Sequence, residues 1–458
     1  MSLLLRSLFL FLVSMPLLAN PATSKVYELS LDNGLKVLVK EDHRSPIVVS
    51  EVWYKVGSSY ESGGVTGISH VLEHMMFKGT DKHPAGEFSR IIASNGGREN
   101  AFTGQDYTAY FQSLEKSRLE VSLELEADRM RNLRLVENDF AKELQVVLEE
   151  RRMRTDDAPR SKTYEHFMAM AFSNSPYKNP IIGWPSDIEH LTVADLRNWY
   201  GRWYAPNNAT LVVVGDVEPK TVFALAKKHF GLLKSSVLPA QKPRSEVEQL
   251  GPKRMTVKLP AKLPYLLMGY KVPVLNSVAE EWEAYALEVL SGILDGGSSA
   301  RLARNLVRGK QIAVSAGAGY ELYDRLPTLF VLDGTPAEGK SPASLERALR
   351  GEIRQLQENT VDAEELARVK AQVLANAIYE RDSGFYQAMQ IGLLETVGLG
   401  WEKMDEYVDR VNAVTAEQVR QAAKKYLVDE RLSVAYLEPL PIRTNKPVSA
   451  VVGGRHAQ

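Results

Sequence analysis

Three side chains that could bind a metal ion and activate water stand close together early in the chain. They are His70, Glu73 and His74, and no glycine or proline falls between Ile68 and Lys78. Because an α-helix has about 3.6 residues per turn, positions i, i+3 and i+4 lie on one face. Two histidines at this spacing supply half of a zinc site, and a neighbouring carboxylate can take a proton from a metal-bound water. The pattern predicts a metal-binding helix, and the alternative is a helix with two hydrogen-bonded histidines and a surface glutamate.

A second predicted helix carries two carboxylates on one side. Residues 139–154 contain no glycine or proline, and their apolar residues recur at helical spacing at Phe140, Leu144, Val147 and Leu148. Glu143 and Glu150 are seven residues apart, so both can lie on the same face of this helix. A charged helix face usually points to water. From the residues alone, Glu150 is therefore expected at the surface.

The composition is typical of a soluble globular protein. With 458 residues, 44% of them hydrophobic and 25% charged, the chain is long enough for about two to four domains. The 56 basic and 57 acidic residues give a net charge of −1, which does not favour binding to nucleic acid or to an anionic membrane. The absence of cysteine excludes disulfides, thiolate zinc ligands and cysteine catalysis. A metal site must therefore use His, Asp or Glu side chains.

The N-terminus has the pattern of a secretory signal peptide. Arg6 is followed by the apolar run 8–13 and then by Pro16 and Ala19. This run is too short to span a bilayer comfortably. We expect residues 1–22 to be a signal peptide, cut after Ala19 or Ala22, that exports the protein to a periplasm. An uncleaved anchor is the alternative.

Strand and helix patterns alternate through the rest of the chain. Apolar and polar residues alternate in a predicted hairpin at 26–40, and 47–56 and 100–111 each predict a strand. The segment 114–133 predicts an amphipathic helix. Prolines and glycines with little apolar periodicity at 235–253 indicate a linker between two parts of the chain.

The two parts look like copies of one unit. The segment 192–197, with Trp203 and Leu211 after it, matches 415–420, with Tyr426 and Val434 after it, at a constant offset of 223 residues. Internal duplication explains this match. Register against the motif helix places residues that cannot bind a metal at its three positions, namely Leu287, Leu290 and Ser291. The predicted organisation is a signal peptide (1–22), an N-terminal zinc-binding catalytic domain (23–235), a linker (236–253), a homologous C-terminal domain without metal (254–440) and a disordered tail (441–458).

Taken together, these motifs resemble the pitrilysin/insulinase family of inverzincin metallopeptidases, and most closely its mitochondrial-processing-peptidase-like bacterial branch. The resemblance covers nearly everything from residue 26 to residue 439. It rests on five separate features: His70-x-x-Glu73-His74, Asn100-Ala101-Phe102, Glu143 with Glu150, the stretch Trp203-Tyr204-Ala205-Pro206-Asn207-Asn208, and a second copy of the repeated unit that lacks the metal motif.

The resemblance implies a role for each matching residue. His70, His74 and Glu150 match the three zinc ligands of the family, and 75 residues lie between His74 and Glu150 as the family spacing requires. Glu73 matches the general base that deprotonates the zinc-bound water, and Glu143 matches a carboxylate that assists catalysis. The edge strand that pairs with the substrate backbone in the family corresponds to Asn100, Ala101 and Phe102.

The resemblance also implies a fold and an activity. We expect an α+β protein made of two homologous α/β-sandwich halves, each a mostly antiparallel sheet covered by helices, which face each other across a cleft. The expected activity is that of a Zn²⁺-dependent endopeptidase acting on extended or unfolded peptides. A non-catalytic partner subunit of a peptidase complex is the alternative, and it is less favoured because the ligand and base positions are all filled.

One departure from the family pattern indicates that this chain needs a partner chain. Members that work alone carry in the second half an arginine and, seven residues later, a tyrosine, which hold the substrate backbone. An ungapped match places Val307 and Val314 in these slots, and Arg308 and Tyr320 are out of register. We therefore expect a second, zinc-free family member to complete the site in a heterodimer, with a homodimer as the alternative. No nucleic-acid partner and no stable membrane insertion are expected.

Overall fold

The computed structural model describes residues 25–442, so the predicted signal peptide and most of the predicted disordered tail lie outside the described residues. Between these limits the strands are β1 (Val26–Ser30), β2 (Lys36–Glu41), β3 (Ile47–Tyr54), β4 (Arg98–Thr103), β5 (Thr108–Glu115), β6 (Ala209–Gly215), β7 (Lys253–Pro260), β8 (Tyr265–Val272), β9 (Ala313–Gly319), β10 (Thr328–Pro336) and β11 (Leu432–Leu440). The helices are α1 (Ile68–Met75), α2 (Glu87–Ser94), α3 (Leu119–Asn132), α4 (Glu137–Arg151), α5 (Pro159–Ala171), α6 (Pro185–His190), α7 (Val193–Trp203), α8 (Pro219–Phe230), α9 (Glu281–Asp295), α10 (Pro342–Glu358), α11 (Ala363–Glu380), α12 (Gly384–Val397), α13 (Lys403–Ala413) and α14 (Ala416–Tyr426). Within the described residues, no helix combines the length and the apolar character that crossing a membrane requires.

The N-terminal half, from β1 to α8, is built on a six-stranded sheet with the order β1-β2-β6-β3-β5-β4. All neighbouring strands are antiparallel except β2 and β6. The prediction of one strand over 100–111 was wrong, because a tight turn at 104–107 separates β4 from β5. The turn closes when the Gly104 N–H donates to the Tyr107 carbonyl at 2.8 Å. This hairpin leaves β4 at the edge of the sheet, where, among residues 25–442, it pairs with β5 alone.

The C-terminal half, from β7 to β11, repeats the same topology. Its sheet has the order β7-β11-β8-β10-β9, which corresponds to β2-β6-β3-β5-β4 and begins with the same parallel pair. The helices α7 and α14 occupy equivalent places and both begin with a capping box, Thr192 with Asp195 and Thr415 with Gln418. The predicted duplication and the predicted fold class are therefore confirmed.

One helix from each half packs on the sheet of the other half. On α12, Ile391 and Leu394 pack against Trp53 of the N-terminal sheet. On α5, Phe167 packs against Leu267 of the C-terminal sheet. The two halves are therefore joined by two apolar interfaces, each between a sheet and a helix from the opposite half.

A glutamate is buried on the sheet face that α12 covers. Glu51 on β3 shares this face with Val49 and Trp53, since alternate residues of a strand point to the same side. Its side chain is 0% exposed, and one oxygen accepts a hydrogen bond of 2.7 Å from Trp53 Nε1 while the other has no partner in the described structure. Burial raises the pKa of Glu51 to about 8.

Glu51→Gln is expected to make the folding stability less dependent on pH. The folded carboxyl keeps its proton up to about pH 8, whereas the unfolded one releases it near pH 4.5. The contribution of Glu51 to the wild-type stability is therefore fully present below pH 4.5 and is lost as the pH rises to about 8. At pH 9 the variant should exceed the wild type by about 5 kcal/mol in its free energy of unfolding, with a difference of about 1 kcal/mol or less at pH 5.

Urea denaturation of both proteins at pH 5, 7 and 9 measures this difference. Glu438→Gln, at an exposed position of β11, serves as the control that should follow the wild type. Parallel pH profiles of the wild type and Glu51→Gln would contradict the prediction.

Candidate metal centre

The start of helix α1 is fixed by close backbone packing. Gly67 precedes the helix with a φ of +87°, and a Cβ there would lie 2.5 Å from the Ile182 carbonyl oxygen. Gly183 faces it with a φ of +91°. The buried carboxylate of Glu61 accepts hydrogen bonds from the N–H groups of Gly67 (2.7 Å) and Ser69 (2.9 Å). These contacts fix the position of α1 relative to the loop around Gly183.

A buried arginine attaches helix α4 to the same loop. Arg151 has a side chain that is 1% exposed, and its Nη1 donates to the Gly183 carbonyl at 2.7 Å. Its guanidinium also pairs with Glu165 on α5. Because Gly183 packs against Gly67, Arg151 fixes α4 relative to α1, and Glu150 is its neighbour in the chain.

The two helices bring three metal-ligand groups together. In His70, His74 and Glu150, one ligand atom from each lies within 4.8 Å of the other two. Glu150 Oε2 is 3.3 Å from His74 Nε2 and 3.9 Å from His70 Nε2. Around a tetrahedral zinc ion with bonds of about 2.0–2.2 Å, neighbouring donors lie about 3.3–3.6 Å apart. The donor set and its spacing fit zinc, with room for a fourth ligand.

Neighbouring charges orient these ligands. Glu143 Oε2 lies 3.3 Å from His74 Nδ1, so the Nδ1–H of His74 can donate to it and leave Nε2 facing Glu150. Lys78 pairs with the other oxygen of Glu143. Arg154 Nη1 lies 2.6 Å from Glu150 Oε1, which leaves Oε2 of Glu150 to face the imidazoles.

Glu73 lies beside the three ligand groups, but its side chain is held by a different residue, Thr103. Its Oε2 accepts a hydrogen bond from the Thr103 hydroxyl at the end of β4. Burial raises the pKa of Glu73, and the hydrogen bond from Thr103 opposes this shift. The carboxylate faces the same cavity as the ligands, in the place that a proton acceptor needs.

The ligand groups open into a cavity of about 1590 Å³ between the two halves. On the N-terminal side, His70, Glu73, His74 and Glu150 line it together with β4. The C-terminal side contributes several tyrosines and carboxylates, among them Tyr320, Tyr323, Tyr407, Glu288 and Asp324. Burial raises the pKa of Glu288 and of Asp324 to about 7.

Most residues singled out in the sequence meet in this cavity. His70, Glu73, His74, Glu150 and the strand residues Asn100, Ala101 and Phe102 all line it. Glu143 does not line it and lies behind His74. Val307 is half-buried against the C-terminal core, Val314 on β9 is 61% exposed, and neither lines the cavity.

Sequence reasoning missed Thr103, Arg151 and Glu61. A signal for Arg151 was present, because it follows Leu144 and Val147 at helical spacing and so occupies the apolar stripe of α4. A charge on a buried stripe predicts a buried ion pair. Thr103 alternates with Ala101 on β4, which places both on the face towards α1. No sequence pattern pointed to Glu61.

Family models cover both halves of the chain. The model described as "Insulinase (Peptidase family M16)" matches residues 36–184, and "Peptidase M16 inactive domain" matches residues 190–373. The zinc protease PqqE of Helicobacter pylori is 32% identical over 443 residues, 95% of this chain and 98% of that protein. The chain belongs to peptidase family M16. The pitrilysin/insulinase resemblance is thereby confirmed. The "inactive domain" match begins in the last part of the N-terminal half, after the three metal-ligand positions, and extends into the C-terminal half, which lacks the metal motif.

Other M16 relatives share the length and the fold of the chain. The uncharacterized zinc protease YmxG of Bacillus subtilis is 27% identical, with 89% of this chain and 97% of that protein covered. A crystal structure of a protease from Helicobacter pylori superimposes with a TM-score of 0.86 and 31% identity, covering 91% of this chain and all of the other. The first half of the periplasmic protease PqqL from Escherichia coli gives a TM-score of 0.75 at 20% identity, which shows the common fold.

Proposed function

We propose that this M16 protein is a zinc-dependent endopeptidase that cleaves extended or unfolded peptides in the cavity between its two halves. The observation that carries the proposal is the convergence of His70, His74, Glu150 and Glu73 beside the free edge of β4. Relatives named zinc proteases support the coarser assignment to zinc proteolysis.

The proposed chemistry divides the work between ligands and base. His70, His74 and Glu150 hold the ion, and bound zinc would polarise a peptide carbonyl and lower the pKa of the attacking water. Glu73 takes the proton of that water on its carboxylate and passes it to the leaving amine. Its position in the cavity and its contact with Thr103 support this role.

The proposed substrate class follows from the shape of the site. In the part of the chain that the structure describes, β4 has one free edge, and a peptide can add to such an edge by main-chain hydrogen bonds. Asn100, Ala101 and Phe102 would make these bonds and place the scissile carbonyl near the metal. A cavity of about 1590 Å³ admits an extended segment but not a folded domain.

We also propose that the protein works in a periplasm and with a partner chain. The expected signal peptide supports export, and PqqL is described as a periplasmic protease. The chain covers 52% of full-length PqqL, so a fold of this size forms about half of that longer protein. The valines at 307 and 314, in place of an arginine and a tyrosine, support a second M16 chain as the other half.

A purified sample tests the central proposal directly. Zinc content is measured by mass spectrometry, and cleavage of unfolded peptides is followed with chelator and after adding zinc back. We expect zinc to bind and activity to follow its presence. A protein that binds zinc but never cleaves, alone or with other M16 chains, would be the non-catalytic subunit of the alternative.

Glu143→Gln is expected to lower turnover more than zinc affinity. Glu143 contacts His74 Nδ1 and Lys78 but does not line the cavity, so it acts by orienting a ligand. Loss of such a contact typically costs about 10–100-fold in activity or metal affinity. Steady-state kinetics and zinc competition with a chelator measure both quantities, with the exposed neighbour Glu149→Gln as the control. An unchanged rate would make Glu143 an ordinary surface carboxylate.

A further inference from the structure

We propose that Thr103 is a positioning residue that couples the peptide-binding edge of β4 to the general base Glu73. This inference rests on the proposed function and adds a residue to its machinery. Thr103 is the last residue of β4, and its hydroxyl donates to Glu73 Oε2. The side chain that orients the base thus belongs to the strand on which the substrate would lie.

The hydrogen bond leaves the two oxygens of Glu73 in different situations. Oε2 is held by Thr103, so Oε1 is the oxygen free to accept a proton from water. A carboxylate on a flexible stem samples several rotamers, and one fixed hydrogen bond reduces this freedom. The geometry of proton transfer depends on such restriction, since a misplacement of about 1 Å can cost about 10²-fold in rate.

The end of β4 is itself held from both halves of the protein. The turn after Thr103 contains Asp106, which is 3% exposed. Ser59 Oγ donates to Asp106 at 2.6 Å, and the Tyr177 hydroxyl donates to its other oxygen. Arg325, from the C-terminal half, donates to Asp106 at 2.8 Å. Thr103 is therefore attached to a rigid turn rather than to a free loop.

This arrangement links substrate docking to base orientation. The main chain of Thr103 pairs with Thr108 of β5 on one side and leaves the other side open to the cavity. A peptide that pairs along 100–103 would order the strand up to the residue that holds Glu73. A peptide bound elsewhere in the cavity would lack this effect, so correct docking and proton transfer are favoured together.

Thr103→Val tests the inference because it removes the hydroxyl and keeps the β-branched shape. We expect kcat for an unfolded peptide to fall by about 10–100-fold, with zinc content unchanged because Thr103 is no ligand. Thr103→Ser retains the hydroxyl and should recover most of the rate. Thr108→Val is the matched control on the same hairpin, since its hydroxyl donates to the Val56 carbonyl and not to Glu73; its kcat should stay near the wild-type value.

Three results would overturn the inference. An unchanged kcat in Thr103→Val with only a higher KM would make Thr103 a substrate-binding residue. Loss of zinc in Thr103→Val would make it part of the metal site, and failure of Thr103→Ser to recover the rate would exclude the hydroxyl. Glu73→Gln separates this inference from the proposed function. If Glu73→Gln is inactive while Thr103→Val is fully active, the inference fails and the proposed function stands. If Glu73→Gln is active, another group acts as the base, and the role given to Thr103 fails with that of Glu73.

Discussion

Glu73→Gln is expected to abolish peptide cleavage while the purified protein still carries about one zinc ion per chain. Glu73 lies beside the metal-ligand groups, but its Oε2 is bound to Thr103 and it is not one of the three ligands. Glutamine keeps the size of the side chain and cannot accept the proton of the attacking water. Loss of a general base typically costs about 10²–10⁴-fold in rate.

The ligand variants provide the contrast that makes this result specific. His70→Ala, His74→Ala and Glu150→Gln should lose metal together with activity, because each removes a donor from the three-ligand set. Zinc content by mass spectrometry and turnover of an unfolded peptide are measured on the same preparations. Substantial turnover in Glu73→Gln would show that another group acts as the base.

The metal helix could be predicted from the sequence because its chemistry is local. His70, Glu73 and His74 fall within two turns of α1, so helical geometry alone brings them together. Glu150 was different. On its own helix it looked like a surface residue, and only the family spacing assigned it as a ligand. The contact between α1 and α4 depends on Gly67, Gly183 and Arg151, which act over distances that no local pattern encodes.

The duplication was visible in the sequence, whereas the exchange of helices between halves was not. Similar residues at a constant offset indicate a repeated unit. They do not reveal which sheet a helix covers, because an apolar stripe shows which face of a helix is buried but not the element that it packs against. The packing of Ile391 of α12 and Phe167 of α5 on the sheet of the opposite half is therefore visible only in the structure. The hairpin after Thr103 was also missed, because Gly104 was read as part of a continuous strand.

The partner proposal predicts that the isolated chain binds zinc but cleaves peptides poorly. Three polar groups that the C-terminal half presents to the cavity already have partners: the Tyr320 hydroxyl donates to the Pro273 carbonyl at 2.8 Å, that of Tyr407 contacts Glu288, and Arg381 donates to the Met404 carbonyl. These three groups are not free to hold a substrate backbone. Poor positioning of a scissile carbonyl can cost orders of magnitude in rate.

The positions of Val307 and Val314 favour completion of the site by another chain. Neither residue lines the cavity, and a valine side chain has no hydrogen-bond donor, so this chain lacks the two groups that hold the substrate backbone in members that work alone. A zinc-free M16 chain with arginine and tyrosine in these slots would supply the missing hydrogen-bond donors. Adding such a chain should raise the cleavage rate by at least about 10²-fold without changing zinc content. The control is the same partner with both residues changed to valine, which should bind but not activate. Full activity of this chain alone, as a monomer or a homodimer, would contradict the proposal.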